Sequence, residues 1–378
     1  MILLLHAVGG LALVLSIAGI AYAFLSGALL ARLSDTPSPR AAVALSLLKP
    51  LCGVEPGLEE NLASFLRQDY GAAVQVIFGV QDPADPALEI VERLRLAHPE
   101  AHLDVVIGDG PAGSNRKIAN LINMAGHVRH ELLVISDADM RAPEDYLARV
   151  AGAANQPGVG AVTCYYFGQA QAGFWSELGA MGISYGFLPS VVTGVGVGLA
   201  HPSMGSTIAL RGVVLDEIGG FQAFAGVLAD DYEIGRAVRA SGRRIALPPF
   251  AIAHGCSERG FRELLGHELR WAVTIRCMDP IGHAGSIITH PLALAVVATL
   301  LLGGAWYAGA ALVAAGFARF WLKRRVDRFV GATSGPWQWL LLRDILSFGV
   351  FICSLFARRV EWRGSKFHIS ANGKLFPA

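Results

Sequence analysis

The chain has 378 residues, 53% hydrophobic and only 16% charged, with 31 Lys and Arg against 30 Asp and Glu for a net charge of +1. A soluble domain carries about 25% charged residues, so the deficit points to membrane segments, and a charge this near zero argues against a nucleic-acid partner recruited by bulk electrostatics. The five cysteines, Cys52, Cys164, Cys256, Cys277 and Cys353, are odd in number and include no CxxC pair, which speaks against a disulfide framework or zinc cluster and for inert thiols in a reducing compartment. The excess of Ala, Gly and Arg over Lys reads as the coding bias of a GC-rich bacterial genome.

From Met1 to Leu30 there is no Asp, Glu, Lys or Arg and His6 is the one histidine, and the first Lys or Arg is Arg32. A span needs about 20 apolar residues, and a secretory signal would begin with a basic segment. Residues 1–31 are therefore predicted to be an uncleaved transmembrane anchor with Arg32 and Arg40 on the cytoplasmic side. Residues 41–280 hold most of the acidic side chains and the alternating pattern of a soluble domain. In it Ala41–Leu48 reads as a strand, 57–68 as a helix, Val74–Val80 as a strand, and Asp85-Pro86 as a helix start with Asp at the N-cap and Pro at N1. Leu103–Ile107 is the third strand, Arg116–Ala125 a helix and Leu132–Ile135 the fourth strand. Strand alternating with helix implies an α/β domain with a parallel sheet covered on both faces. Ligands in such sheets bind at the carboxyl ends of the strands, which singles out Gln81-Asp82, Gly108-Asp109 and Asp137-Ala138-Asp139.

Two carboxylates two residues apart can grip a hard divalent cation, Mg²⁺ or Mn²⁺; the alternative for Asp137 and Asp139 is a helix cap beside a solvated carboxylate. Asp82 and Asp85 suit turn chemistry and equally a hydrogen bond to a nucleobase or ribose. The stretch 110–117 is neither a P-loop nor GxGxxG, yet Lys117 is placed to reach a diphosphate. Asp230, Asp231 and Glu233 form an acidic knot at a helix start, where the dipole favours them and where one carboxylate could serve as general base toward a hydroxyl. His267, Arg270 and Trp271 share an amphipathic helical stretch; Arg270 could neutralise a diphosphate and Trp271 pack on substrate, or the pair could be an interface anchor. The apolar, Gly-rich segment Phe174–Met204 is either ordinary core helix plus loop or a channel for a lipid acceptor.

Residues 285–378 form a second membrane region. Ser286–Leu322 suits two spans broken near Gly303-Gly304 and capped by Lys323-Arg324-Arg325. Trp337–Phe356 is interrupted by Arg343 and Asp344, which are costly in hydrocarbon, and fits a span, a re-entrant hairpin or an interfacial helix.

The order Asp82, Asp137-x-Asp139, Asp230-Asp231, His267-x-x-Arg270-Trp271 resembles family-2-type GT-A glycosyltransferases, and more narrowly the ceramide glucosyltransferase family. The shared landmarks are Leu48-Lys49-Pro50-Leu51, Val80-Gln81-Asp82 with Asp85-Pro86, Asn115-x-Lys117-x-x-Asn120-Leu121, Gly219-Gly220, Asp231-Tyr232, Arg270-Trp271 and the tail Glu361-Trp362-Arg363. The resemblance implies a GT-A nucleotide-sugar-binding domain with N-terminal and C-terminal transmembrane helices, and inverting transfer from a UDP-sugar donor to a lipid acceptor. It gives Asp82 the nucleotide base, Asp137 and Asp139 the metal and donor diphosphate, and Asp231 the role of catalytic base. His267 departs from the (Q/R)xxRW motif at its first position. Asn115-Arg116-Lys117 and Asn120-Leu121-Ile122-Asn123-Met124 resemble a bacterial branch associated with hopanoids, implying N-acetylglucosamine transfer to an alcohol such as bacteriohopanetetrol at the inner (cytoplasmic) membrane; ceramide is the alternative acceptor. A processive polysaccharide synthase would need more spans, a transporter would show internal repeats and ionisable residues in several spans, and a scaffold would need no acidic set.

Overall fold

The computed structural model of the chain describes residues 2–110, 115–227 and 229–357, and beyond these the backbone of 359–362, 365–369 and 375–377. Residues 111–114 of the loop before Lys117, and Arg363 with the side chains of Glu361 and Trp362 in the tail landmark, lie outside the described residues.

In chain order the principal elements begin with α1 (Ile2–Ser34), β1 (Leu45–Pro50), α2 (Leu58–Leu66), β2 (Val74–Val80), α3 (Ala87–Ala97), β3 (His102–Ile107), α4 (Arg116–Ala125) and β4 (Leu132–Ile135). Next come β5 (Met140–Arg141), α5 (Tyr146–Ala154), β6 (Val159–Val162), β7 (Tyr165–Ala170), α6 (Phe174–Gly182), α7 (Leu188–Gly196), β8 (Ile208–Arg211), α8 (Gly212–Glu217), α9 (Asp230–Ala240), β9 (Arg244–Ala246) and β10 (Ala251–Cys256). The C-terminal helices are α10 (Phe261–Met278), α11 (Pro280–Gly285), α12 (Pro291–Leu301), α13 (Trp306–Val330) and α14 (Leu340–Phe356). By its contacts the chain divides into two units, one of residues 36–167 and 201–257, the other of 1–35, 168–200 and 258–378. The continuous 41–280 domain expected from composition is thus interrupted: 168–200, and everything from 258 on, groups with the N-terminal helix.

The first unit is built on a seven-stranded sheet in the order β3-β2-β1-β4-β8-β6-β9. Strands β1 to β4 are parallel, as the strand–helix alternation requires. The far half departs from the all-parallel expectation because β8 runs antiparallel to both β4 and β6. β8 is reached from β4 by a long excursion through β5, α5, β6, β7, α6 and α7 and not by a single βαβ crossover, and it is such a crossover that parallel pairing requires. Both faces are covered, so the strands read as continuous apolar runs. Leu45, Leu47, Val76, Phe78, Leu132 and Val134 point to one core with α2, α3 and α5. Leu48, Ile77, Leu133 and Ile135 point to the other with Ile118, Leu121 and Met124 of α4 and Ile234 and Val238 of α9. Parallel pairing aligns Leu48 with Ile77 and Ile135, so the segments after Val80, Ile107 and Ile135 leave the sheet at one edge.

The second unit is helical. Helix α1 turns Gly9, Ala12, Ser16, Gly19, Ala23, Ser26 and Gly27 inward at every third or fourth residue, and α13 buries Ala308, Ala311, Ala315 and Ala318. Such small-residue stripes let helix backbones approach where lipid offers no hydrophobic drive. Ser16 Oγ donates to the Pro291 carbonyl at 2.9 Å, and the Ser26 and Thr193 hydroxyls meet at 2.6 Å. Among the described residues three helical stretches are long and apolar enough to cross a membrane, Ile2–Ser34, Phe174–Gly196 and Trp337–Phe356; Pro280–Thr289 with Pro291–Leu301 forms a pair bent by 69°.

One expectation is corrected here. The two spans sought in 286–322 become the bent pair and α13. The break falls where predicted, with Gly303 and Gly304 at positive φ, but α13 runs to Val330 and carries Lys323-Arg324-Arg325 inside it. Its charged content keeps it out of the apolar class, and Arg319 and Lys323 are buried, only 4% and 5% exposed. Phe174–Met204, read as core helix plus loop or as an acceptor channel, is over Phe174–Gly196 a 23-residue apolar helical stretch with a π-turn at Ile183–Phe187, as the first of those alternatives has it.

The charges that made Trp337–Phe356 ambiguous are paired. Arg343 grips Glu268 of α10 at 2.6 and 2.7 Å and donates to the Leu178 carbonyl, and Asp344 takes Arg319 of α13 at 2.7 and 2.8 Å. A Cβ at Gly182 would stand 2.8 Å from the Arg343 guanidinium, so a glycine there makes room for it.

Candidate active site

At the carboxyl edge of the sheet, Asp137 and Asp139 follow β4, as the strand-end rule predicts. Lys117, on the first turn of α4, places Nζ 2.6 Å from Asp137 Oδ1 and 3.7 Å from Asp230 Oδ2. The start of α4 is tied to that of α9 by Asn115: its Oδ1 caps α4 by accepting from Ile118 N at 3.2 Å, and its Nδ2 donates to Asp230 Oδ1 at 3.0 Å. Asn120 Nδ2 donates to the Gly79 carbonyl and Asn123 Nδ2 to the Gly108 carbonyl, at 2.8 and 2.6 Å. These amides fasten α4 to the ends of β2 and β3 and so hold Lys117 in place.

Gly205 brings the distant residues together. A Cβ built on it would lie 2.9 Å from Asp137 Oδ2, 3.1 Å from Lys117 Nζ and 3.5 Å from Asp231 Oδ2. Carboxylates 94 positions apart in sequence thus border one small space that only a residue without a side chain leaves open. Asp231 Oδ2 accepts from Gly205 N at 2.9 Å and its Oδ1 from Tyr232 N at 2.8 Å. Burial pushes the Asp231 carboxyl up, the neighbouring Asp230 pushes it further, and Lys117 and the two amides only partly offset them, so it titrates at about 6. A carboxylate poised there can take a proton from a hydroxyl near neutral pH. Burial pulls the Lys117 ammonium down, but Asp137 and Asp230 outweigh it and hold the group charged.

On the other side of Asp137, Asp139 Oδ2 lies 3.3 Å from His254 Nε2, whose strand β10 pairs with β5 so that His254 stands opposite Met140. Burial opposes the charge on Asp139, but His254, Lys49 and Lys117 prevail and its carboxyl titrates at about 2. Its Oδ1 is buried without a hydrogen-bond partner. Among the described residues no three His, Cys, Asp or Glu side chains converge as an all-protein metal site would require. One or two carboxylates with an unengaged oxygen are instead what Mg²⁺ or Mn²⁺ needs when substrate phosphates and water complete its shell, so Asp137 and Asp139 fit a divalent cation.

Of the other predicted residues, Asp82 is exposed at the end of β2 and accepts from Ala84 N at 2.8 Å. Asp85 is engaged differently from the prediction: its carboxylate accepts from Gly53 N at 2.9 and 3.0 Å and from Ala87 N at 2.9 Å, and the helix begins at Ala87 after Pro86. It staples the loop after β1 to α3, with both oxygens engaged by backbone amides. His267, Arg270 and Trp271 sit on α10 of the helical unit, where His267 Nδ1 is 2.7 Å from Glu258 Oε1 and its ring packs edge-on against Trp271 at 4.4 Å.

Three residues were not among the predicted site positions. Lys49, wholly buried, donates from Nζ to the Asp137 carbonyl at 2.6 Å and lies 3.8 Å from the Phe65 ring centroid. Burial draws its ammonium down to about 7 against the pull of Asp139 and Asp137. A lysine closing an apolar strand was the signal available in sequence. His254 and Gly205 had none, because their importance is created by β10 and by the turn before β8.

The profile of Glycosyl transferase family 21 matches residues 11–375. The chain belongs to that family. Glycosyl transferase family 21 relatives include Ceramide glucosyltransferase 1 of Caenorhabditis elegans, 24% identical over 346 residues, which are 88% of this chain and 72% of that one. Ceramide glucosyltransferase 3 of the same organism is 24% identical over 358 residues, 88% of this chain and 74% of that one. Among solved structures the mannosyltransferase PcManGT of Pyrobaculum calidifontis, in complex with GDP-Man and Mn²⁺, superposes with a TM-score of 0.53 at 22% identity over 93% of this chain and 99% of that one. The family 21 chain thus has the GT-A fold expected from its motifs, and it is a glycosyltransferase.

Proposed function

We propose that the chain transfers a sugar from a UDP-sugar to a hydroxyl of a membrane lipid, in one inverting displacement at the anomeric carbon. The observation that carries this reading is the convergence of Asp137, Lys117 and Asp231 about Gly205: a lysine suited to a diphosphate and a carboxylate suited to a cation, beside a base that titrates at about 6. Asp231 accepts the acceptor's hydroxyl proton as the new C1–O bond forms and the bond from C1 to the diphosphate oxygen breaks, releasing UDP. Lys117 offsets charge on the leaving diphosphate. Asp82 meets the nucleotide base; the motif resemblance assigns Arg270, Trp271 and His267 of α10 to substrate binding. A divalent cation, Mg²⁺ or Mn²⁺, bound by Asp137 and Asp139 would supply further neutralisation of the diphosphate.

The acceptor is a hopanoid alcohol such as bacteriohopanetetrol and the sugar N-acetylglucosamine, on the strength of the motif resemblance at 115–124. The catalytic domain faces the cytoplasm from a bacterial inner membrane, as the basic flank of α1 supports. A second reading, glucose transfer to ceramide, is favoured by the names of the relatives. The test is to purify the protein in detergent and offer UDP-glucose or UDP-N-acetylglucosamine with Mn²⁺ and either lipid, reading products by lipid mass spectrometry beside an Asp231→Asn control. One added N-acetylhexosamine on the hopanoid, lost in the control, supports the first reading. Hexose on ceramide replaces it with the second, and a donor that does not bind at all overturns both.

A further inference from the structure

Lys117 stands where two demands conflict. Its Nζ is 2.6 Å from Asp137 Oδ1 and 3.7 Å from Asp230 Oδ2, with the side chain only 20% exposed. Asp137 is also one of the two carboxylates suited to a divalent cation. A cation on Asp137 and an ammonium at hydrogen-bond distance from the same carboxylate are like charges sharing one counter-charge, and at low effective dielectric that is costly. Lys117 cannot easily withdraw, because Asn115, Asn120 and Asn123 fasten α4 to α9 and to two strand ends. Asp139 is arranged otherwise: its Oδ2 is taken by His254 and its buried Oδ1 is left unengaged.

From this geometry we propose that Lys117 is an internal competitor for the cation site, and that the donor's diphosphate relieves the competition by offering Lys117 another anion. Cation and nucleotide are then coupled through a lysine tethered between them. Without nucleotide, Lys117 holds Asp137 and the cation has chiefly Asp139. With nucleotide, the ammonium turns its hydrogen bonds to phosphate oxygens and Asp137 is released to the cation. Linkage makes the effect reciprocal, so the cation raises nucleotide affinity by the factor by which nucleotide raises cation affinity. The enzyme is thereby spared from holding a cation tightly when no donor is bound. The inference rests on the reading of Asp137 and Asp139 as cation ligands.

The experiment measures Mn²⁺ binding by electron paramagnetic resonance to the full-length protein in detergent, with and without UDP, for the native chain and for Lys117→Met, Lys117→Arg and Asp137→Asn. We expect native Mn²⁺ affinity without UDP to be weak and to rise at least ten-fold with saturating UDP. Lys117→Met should bind Mn²⁺ at least ten-fold tighter than the native chain without UDP, and gain less from adding it; Lys117→Arg, which keeps the charge, should stay weak. An unchanged thermal transition in each variant reports an intact fold. If Lys117→Met binds Mn²⁺ no tighter while Asp137→Asn weakens it, the cation reading stands and competition by Lys117 is refuted. If Asp137→Asn leaves Mn²⁺ binding with UDP unchanged, the cation reading fails and this inference with it.

Discussion

Asp231 carries the sharpest chemical expectation at the scale of single residues. General-base catalysis contributes on the order of 10²- to 10⁴-fold, so Asp231→Asn should lower kcat by about that factor while UDP binding persists. The base works only when deprotonated, and burial together with Asp230 holds its carboxyl at about 6. The rate should therefore climb with pH through about 6 and level off above it, falling roughly ten-fold per unit below. A profile of kcat/KM that stays flat down to pH 5 would assign the base elsewhere. Gly205 offers an independent check, since an alanine Cβ would press on Asp137 Oδ2 at 2.9 Å and Lys117 Nζ at 3.1 Å. Gly205→Ala should lower kcat/KM by on the order of 10- to 100-fold with the thermal transition unchanged. Equal activity would mean that the space beside Gly205 is not used. Asp137, Asp139, Asp230 and Asp231 were legible in sequence because carboxylates after a strand or at a helix start are local signals. Gly205, Lys49 and His254 were not selected, because what each does depends on a partner brought by tertiary contact: the Asp137 carboxylate, the Asp137 carbonyl and the Asp139 carboxylate.

At the scale of elements, the helices of the second unit are joined by two consecutive residues of α14 pointing to different partners. Arg343 binds Glu268 on α10 and Asp344 binds Arg319 on α13, with the Arg319 and Asp344 side chains each 5% exposed. Removing one partner of a buried pair strands the other charge and costs about 3–5 kcal/mol, whereas replacing both with apolar residues of similar volume is often near neutral. Arg319→Met or Asp344→Leu alone should thus lower the melting temperature in detergent sharply, and the double variant should recover most of the loss. Additive losses would mean that the two side chains act independently, and would refute the pairing. These pairings also explain why Trp337–Phe356 resisted assignment by composition: Arg343 and Asp344 count as hydrophilic in sequence, and only the partners on α10 and α13 neutralise them. The parallel strands β1 to β4, by contrast, were readable, because burial on both faces writes an unbroken apolar run. The antiparallel β8 was not, since its direction is set by the path of the chain into the sheet and not by the composition of Ile208–Arg211.

For the molecule as a membrane protein, helix packing in the second unit constrains topology more tightly than hydropathy does. Gly9 of α1 lies against Leu301 and Leu302 at the end of α12, Gly19 against Ile288 and Pro291 at its start, and Gly27 against Trp321 of α13. With Phe24 also packed on Phe317 and Trp321, α1 runs antiparallel to α12 and parallel to α13. The start of α1 and the Gly303-Gly304 turn therefore lie at one end of these helices, and Arg32 lies at the other with Arg324, Arg325 and Arg328, the arrangement a positive-inside orientation would require. In a chain with its native cysteines replaced, a cysteine introduced at Gly304 should react with a membrane-impermeant maleimide added to intact cells, together with one introduced at position 2. Cysteines introduced at Ser34 and Arg328 should react only after the cells are opened. Because α1 packs antiparallel to α12, the two outer positions must agree. Labelling of position 2 from one side and Gly304 from the other would break the hairpin, and reaction of Ser34 in intact cells would invert the orientation proposed for the catalytic domain.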